Sequence, residues 1–369
     1  MKLIDSTVSH EFHTTTQEAW EAMYQGMLKA EKSIFWEVYI LNSSGPGKRF
    51  IDMLSEKALA GVEVKIIVDG LGSVSLGGQA EAKLKAAGVS IVWYNSLSFK
   101  PNPWQWIRNL WIRNHRKILI IDQKTAFIGG VNVDESSTTW DDLYLEMQGP
   151  VVHSLVRAFA KSYVRSGGER KMVHSLLKRP LRLDLKQLRQ KITVLVHTPQ
   201  SLRAVSSLWY FYRFAMDRAK KTVTLLTPYY VPDRRFLQLI RETHNRGVVV
   251  NILIPAQSDH RFMEYMAESF YELTADAGAN LYLLKNMNHG KALSVDGRLG
   301  FVGSANITPR SFFLNEEAGV YFTDEVMVGD LENVLEGWRA QAERVLVAKN
   351  RKWYDRFLRP IAAWFKNYV

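Results

Sequence analysis

Two stretches, NHRKILIIDQKTAFIGGVN at residues 114–132 and NHGKALSVDGRLGFVGSAN at residues 288–306, place the same residue types at the same internal spacings. His115, Lys117, Asp122, Gly129, Gly130 and Asn132 in the first correspond to His289, Lys291, Asp296, Gly303, Ser304 and Asn306 in the second. On average residue usage one such match has a chance of about one in a million per starting position. Occurring twice, it marks a duplication. HRKILIID reads as a strand, in which side chains two apart share a face, so His115 and Lys117 point at one spot with Leu119 and Ile121 on the same side. Asp122 opens a tight turn, and TAFIGG returns as a second strand whose glycines let the backbone approach a ligand. Asn132 is then near the same place, and the second copy repeats the plan with its turn at DGRL.

The similarity extends outward. SIFWEVYIL (33–41) and TVTLLTPYYV (222–231) are strand-like runs leading into helix-like segments, and each helix ends at a glycine that opens another strand. FIDMLSEKALAGVEVKIIVD turns at Gly61 and FLQLIRETHNRGVVVNILIP at Gly247. Glycine just past a helix, followed by a β-branched run, fits a left-handed cap and then a buried strand. Strand, helix, strand is the βαβ unit. The expectation is therefore an α/β protein of two similar lobes, each a mixed β-sheet flanked by helices, related by a pseudo-two-fold with one active site between them. A length of 369 residues, above the size at which a single core usually stops growing, agrees with two lobes. They are placed at 1–164 and 192–369, joined by a basic stretch at 165–191 that contains glycines and Pro180. There Leu181, Leu185 and Leu188 recur at helical spacing beside Arg182, Lys186 and Arg189, which suits a helix resting on a membrane surface or a connector docked on the body.

One cluster supplies an imidazole and an ammonium. Two facing clusters supply a nucleophile, a general acid and two cations around one phosphorus, and Lys117, Lys291, Asn132 and Asn306 can stabilise charge on its equatorial oxygens. The pattern calls for no metal and no cofactor. Histidine titrates near neutrality, so one imidazole can attack while the other, protonated, donates to the leaving oxygen. An aspartate opening a turn commonly serves backbone hydrogen bonding alone, so Asp122 and Asp296 suit either that role or proton transfer. His10, His13, His153, His174, His197, His244 and His260 have no repeated lysine partner and read as structural or exposed. His10 and His13 lie too close for a helical zinc-protease pair, and no phosphate-binding P-loop, dinucleotide fingerprint or G-x-S-x-G elbow is present.

The absence of cysteine excludes disulfides, thiolate metal sites and a cysteine nucleophile. A net charge of +11 favours an anionic partner, either nucleic acid or an acidic membrane. FKPNPWQWIRNLWIRNHRK, from Phe99, and RKWYDRFLRPIAAWFKNYV, at the C-terminus, mix aromatic and basic residues. Such a mixture suits a membrane interface or single-stranded nucleic acid, while Trp353, Phe357 and Ile361 also have the spacing of a helix covering a lobe. MKLIDSTVSHEF has no apolar core of signal-peptide length, and no stretch reaches the roughly 18 uninterrupted apolar residues of a spanning helix, so membrane contact is expected to be peripheral.

The paired H-x-K-x4-D-x6-G-[GS]-x-N pattern resembles the phospholipase D superfamily, and the resemblance spans nearly the whole chain. Within it, TPYYVPDRRF, RGVVVNILIP and SANITPRSFFLNEE are similar to bacterial cardiolipin synthases of the type lacking N-terminal membrane helices. The resemblance implies that a histidine attacks the phosphate of phosphatidylglycerol, glycerol leaves, and the terminal hydroxyl of a second lipid resolves the phosphohistidine. It carries the nucleophile onto His115 and the acid/base role onto His289, and it adds Lys117, Lys291, Asp122 and Asp296 as catalytic residues. Asn132, Ser304 and Asn306 become candidates for binding substrate, although the first copy has Gly130 where the second has Ser304. A downstream carboxylate orients each histidine in the family. Glu317, in LNEE, matches in the second half, and Asp142, in WDDLYLEMQGP, is the nearest counterpart in the first, with a spacing one residue different. The implied partner is an anionic phospholipid membrane containing phosphatidylglycerol, at the cytoplasmic face, with no obligatory protein partner and with nucleic acid less favoured. Hydrolysis to phosphatidic acid, transfer to another alcohol such as serine, nucleic-acid cleavage and a non-catalytic binding module are the alternatives.

Overall fold

The computed structural model describes residues 9–96, 111–178, 191–199 and 206–346. The leucine and cation series at 181–189, the C-terminal aromatic stretch with Trp353, Phe357 and Ile361, and most of the stretch from Phe99 lie outside the described residues.

Among the described residues, two sheets repeat one plan. The first contains β1 (His10–Thr15), β2 (Ser33–Val38), β3 (Glu63–Asp69), β4 (Ser90–Tyr94), β5 (Ile118–Ile121), β6 (Thr125–Gly129) and β7 (Asp141–Gln148), in the order β1-β7-β6-β5-β2-β3-β4. The second contains β8 (Ile192–His197), β9 (Thr222–Leu226), β10 (Val249–Pro255), β11 (Ala279–Leu284), β12 (Ala292–Val295), β13 (Leu299–Gly303), β14 (Glu317–Phe322) and β15 (Glu343–Arg344). Its order, β15-β11-β10-β9-β12-β13-β14-β8, is the first sheet's order with one short edge strand added. In each sheet three parallel strands come from βαβ units, and the motif hairpin joins them antiparallel. Even the register repeats: Ile34 pairs with Ile121 and Trp36 with Leu119, as Val223 pairs with Val295 and Leu225 with Leu293.

The strands are apolar on both faces because both faces are covered. On the outer face of the first sheet, Ile34, Trp36, Leu119 and Phe127 pack with helix Thr16–Leu28 and helix Pro46–Leu59. On the outer face of the second, Val223, Leu225, Leu293 and Phe301 pack with helix Ser207–Arg218 and helix Arg234–Asn245. The alternate residues point inward to a single shared core, where Ile118, Ile128, Leu143 and Leu145 meet Val302, Ala318, Val320 and Phe322. Helix Val151–Arg165 and helix Glu325–Gln341 close this core, so the molecule is a helix–sheet–sheet–helix sandwich with its lobes fused face to face. The beginning of the stretch read as a linker takes part, since Val173 and Leu176 are buried in the same core. Gly61 and Gly247 adopt φ of 89° and 83°, the left-handed caps read from the sequence.

The motif hairpins turn on two left-handed residues each, Asp122 and Gln123 at φ 52° and 55°, and Asp296 and Gly297 at 56° and 63°. Here the catalytic assignment of Asp122 and Asp296 is corrected. Asp122 Oδ1 accepts the backbone N–H groups of Lys32 (2.7 Å) and Ser33 (2.8 Å), and Oδ2 accepts that of Glu31 (3.0 Å). Asp296 takes Lys220, Lys221 and Thr222 in the same way, at 2.7, 2.7 and 2.8 Å. Each carboxylate thus anchors the start of β2 or β9 at the end of the strand away from the histidine. Five residues of extended chain put it about 16 Å from its motif lysine, too far for proton transfer. Burial opposes ionisation of both groups, yet the backbone donors outweigh it and hold each carboxyl below its ordinary pKa. A depressed folded pKa gives stability that is present above the unfolded value and lost as pH falls through the folded one. Asp296→Asn is expected to lower unfolding free energy by about 1–3 kcal/mol at pH 7. In urea denaturation the difference from the unsubstituted protein should shrink as the pH is lowered through the carboxyl's titration.

Candidate active site

His115 and Lys117 sit in the three residues leading into β5, and His289 and Lys291 in those leading into β12, just outside the regular strands. The backbone of each histidine is pinned by the opposite lobe. His115 N–H donates to the Glu316 carbonyl (2.9 Å) and Glu316 N–H to the Arg113 carbonyl (2.8 Å). In the second copy His289 N–H donates to the Asp141 carbonyl (2.7 Å) and Asp141 N–H to the Met287 carbonyl (2.9 Å). The residue after each bridge is a carboxylate, Glu317 or Asp142, and it therefore meets the histidine of the other lobe.

By spacing Glu317 goes with His289 and Asp142 with His115, whereas the geometry crosses the pairs. His115 Nδ1 lies 3.2 and 3.1 Å from Glu317 Oε1 and Oε2, and His289 Nδ1 lies 3.2 Å from Asp142 Oδ2. An ionised carboxylate only accepts, so each Nδ1 carries the proton and each Nε2 is left with a lone pair. The one-residue difference in spacing falls between the motif and the bridge, which lets Asp142 and Glu317 occupy equivalent places.

Ser304 also moves from its expected role. It is fully buried, its hydroxyl donates to Glu317 Oε2 and accepts the Ala318 N–H (3.1 Å), and it does not line the cavity. It holds the carboxylate that holds His115. At the equivalent position a Cβ on Gly130 would lie 2.1 Å from Asp142 Oδ1, so the first copy has no room for a serine.

Both histidines line one cavity of about 320 Å³ between the lobes. Asn132 and Asn306 line it too, and each has a buried amide oxygen with no partner among the described residues. A half-turn of either amide presents N–H groups instead, so both can donate to phosphoryl oxygens. Lys117 Nζ donates to the His115 carbonyl (2.9 Å) and Lys291 Nζ to the His289 carbonyl, so each lysine lies behind the cavity wall, bonded to the backbone of its own histidine. Tyr39 stands edge-on to His115 at 5.0 Å between ring centres, and Trp140 and Tyr229 flank His289 at 5.7 and 6.0 Å. Three possible metal ligands, Glu11, His13 and Glu146, group on the paired strands β1 and β7, and none of them lines the cavity.

Burial and the charge of Lys117 push the His115 imidazole down to about 4, against the pull of Glu317, so it is neutral at physiological pH. Burial and Lys291 lower His289 in the same way. Burial alone would raise Glu317, but His115 and Lys117 hold it down to about 2, fully ionised. Burial depresses both lysines, Lys117 further through the charge of Lys291, and burial brings Lys291 down to about 7 against the pull of Asp142 and Glu317. The cavity is thus short of protons, and an entering anion favours protonation of the lysines and histidines around it.

The sequence matches the family described as cardiolipin synthase, PLD-like domain, over residues 23–162 and 212–358. The chain belongs to that family. It is 34% identical over 325 residues to a cardiolipin synthase of Clostridium perfringens (strain 13), covering 85% of this chain and 66% of that protein. It is 30% identical over 337 residues to a probable cardiolipin synthase of Bacillus subtilis, covering 89% and 65%. The chain therefore spans about two thirds of the length of these curated relatives. A crystal structure of phosphatidylserine synthase from Haemophilus influenzae has the same fold, with a TM-score of 0.72 at 15% identity, covering 97% of this chain and 92% of that one.

Within this PLD-like frame the structure adds residues that sequence reasoning did not single out. Tyr39, Trp140, Tyr229, Asp134, Arg310 and Asn315 all line the cavity, and Asp259 receives the Tyr229 hydroxyl at 2.8 Å. No periodicity marks them, since they sit in the connections beyond the strand ends, Arg310 in the short helix Pro309–Phe313 and the others outside regular helix and strand. Two outcomes follow from the crossed pairs and the depressed lysines. In ¹⁵N spectra of the imidazoles, Glu317→Gln should shift the His115 signals and leave those of His289, and Asp142→Asn should do the reverse; pairing within each lobe would give the opposite pattern. Sulfate, whose charge is constant over this range, should bind best below about pH 7. Its affinity should weaken by up to about tenfold per unit above that pH as Lys291 loses its proton, as titration calorimetry would show.

Proposed function

We propose that the protein is a phosphatidyltransferase that makes cardiolipin and glycerol from two molecules of phosphatidylglycerol. The observation that carries this reading is the pair of buried imidazoles on one cavity, each tied at Nδ1 to a carboxylate of the opposite lobe and each with a lysine bonded to its own carbonyl. His115 Nε2 attacks the phosphorus of the first lipid, the P–O bond to the headgroup glycerol breaks, and His289, protonated once the anion is bound, delivers the proton to the departing oxygen. His289 then takes the proton from the terminal hydroxyl of the second lipid. The new P–O bond forms as the P–N bond to His115 breaks, and both imidazoles return to their starting state. Lys117, Lys291, Asn132 and Asn306 stabilise the charge on the phosphoryl oxygens in both steps.

Both oxygens of Glu317 on His115 Nδ1, with the Ser304 hydroxyl fixing that carboxylate, support His115 as the nucleophile. The name borne by the relatives, cardiolipin synthase, supports cardiolipin as the product. A cavity of about 320 Å³ holds a polar head and leaves two acyl chains outside, which fits a lipid presented from a membrane. We infer an anionic phospholipid membrane as partner, met at its cytoplasmic face, which the net charge of +11 supports; no helix among the described residues is long and apolar enough to cross a membrane.

The deciding experiment incubates the protein with phosphatidylglycerol vesicles and a metal chelator, with plasmid DNA in a parallel reaction. Cardiolipin and glycerol should appear in equal amounts by mass spectrometry, and His115→Ala and His289→Ala should each lose at least about 10³-fold in rate. Phosphatidic acid as the sole product would make water the acceptor, and nicked plasmid with intact lipid would make the protein a nuclease.

A further inference from the structure

The cavity is symmetric at its centre and unequal at its flanks. Counting from the matched asparagines, Asp134 and Ser136 of the first lobe correspond to Thr308 and Arg310 of the second, and all four line the cavity. On the first flank the Asp134 carboxylate accepts the Asn42 amide and the Ser136 hydroxyl. On the second, Arg310 projects a guanidinium whose Nε is buried with no partner among the described residues, and whose Nη2 reaches only the Trp111 carbonyl at 3.5 Å. The other cavity arginine is committed: Arg113 Nε donates to Asp69 at 3.0 and 3.1 Å, and Nη2 to the Asn95 and Tyr94 carbonyls at 3.0 and 3.2 Å. Asn315, whose backbone N–H bonds the Arg310 carbonyl at 2.9 Å, also lines the cavity, with its buried amide oxygen unpaired. A buried donor and a buried acceptor left open side by side are costly unless a ligand meets them.

The reaction proposed above needs such a ligand site. When the phosphohistidine is resolved, the cavity holds the reacting phosphate and an acceptor whose attacking hydroxyl is one glycerol length from a second, unreacting phosphate. Lys117 and Lys291 are occupied with the first. The second is another anion in a site of low dielectric, and it needs its own cation. Water and simple alcohols have no such group.

We propose that Arg310 binds the unreacting phosphate of the acceptor lipid, with Asn315 accepting a hydroxyl of its glycerol, and so selects phosphatidylglycerol over water and small alcohols as second substrate. This assignment rests on the phosphatidyltransferase reading. Because both acceptors compete for one phosphohistidine, the ratio of their products is independent of how fast that intermediate forms or how much protein is folded.

The test gives the full chain phosphatidylglycerol vesicles in buffer containing ethanol and measures cardiolipin against phosphatidylethanol. Arg310→Ala should lower that ratio by about tenfold or more, the loss expected for a charged hydrogen bond. Arg310→Lys should restore part of it. In the unsubstituted protein, monoacylglycerol, which has the same terminal hydroxyl and no phosphate, should be at least about tenfold poorer as acceptor than phosphatidylglycerol. A ratio within twofold of the unsubstituted protein in Arg310→Ala, or equal use of the two acceptors, would overturn the assignment. Phosphatidylethanol without cardiolipin from the unsubstituted protein would overturn the synthase reading itself, and this assignment with it.

Discussion

Everything in this protein depends on two short backbone bridges, Asn114 with Glu316 and Asp141 with Asn288, by which each lobe grips the histidine segment of the other. Because each bridge delivers a carboxylate to the far lobe's imidazole, neither lobe contains a complete histidine pair by itself. The catalytic geometry is a product of docking. A sandwich with a continuous apolar core is the architecture that can hold such a juncture still, since a packed interior cannot yield by small amounts without losing contacts across its whole area.

The same burial that fixes the site makes its charges expensive. Lys117, Lys291, Asp142 and Glu317 are all withdrawn from water, and such groups persist only when each finds a partner. The His115 side solves this with an extended network. Arg116 pairs with Glu316 at 3.3 Å and donates to the Glu317 and His197 carbonyls at 3.2 and 2.8 Å, while Arg165 meets Glu316 at 2.9 Å and Arg113 meets Asp69. The matching residue on the other side is Gly290, where an added Cβ would come within 2.8 Å of Leu226, and His289 is flanked by Trp140 and Tyr229 instead. A duplicated core thus has unequal surroundings. Two imidazoles that are chemically alike are thereby given different surroundings, which can bias one toward attack and the other toward proton transfer.

Much was legible in the chain because much is local. Strand alternation, the left-handed caps at Gly61 and Gly247 and the turns at Asp122 and Asp296 are set by residues a few positions apart, so a repeated spacing reveals a repeated fold. The clustering of His115, Lys117 and Asn132, and of their counterparts, follows from one hairpin read twice. Ser304 and the turn aspartates were misplaced for a related reason. A motif records that a residue accompanies the chemistry, not whether it touches substrate, holds a carboxylate or fastens a strand.

By itself, then, the sequence determined two βαβ-containing lobes, a motif hairpin in each and the identity of the paired histidines and lysines, since these depend on short-range periodicity and composition. Only the tertiary structure decided that Glu317 serves His115 and Asp142 serves His289, that Ser304 braces rather than binds, and that Arg310 lines one cavity with Asp134 and Ser136. Those relations join residues 147 to 202 positions apart in the two histidine pairs, and they exist because two sheets bury their inner faces against each other in one relative orientation. Spacing along a chain carries no information about that orientation.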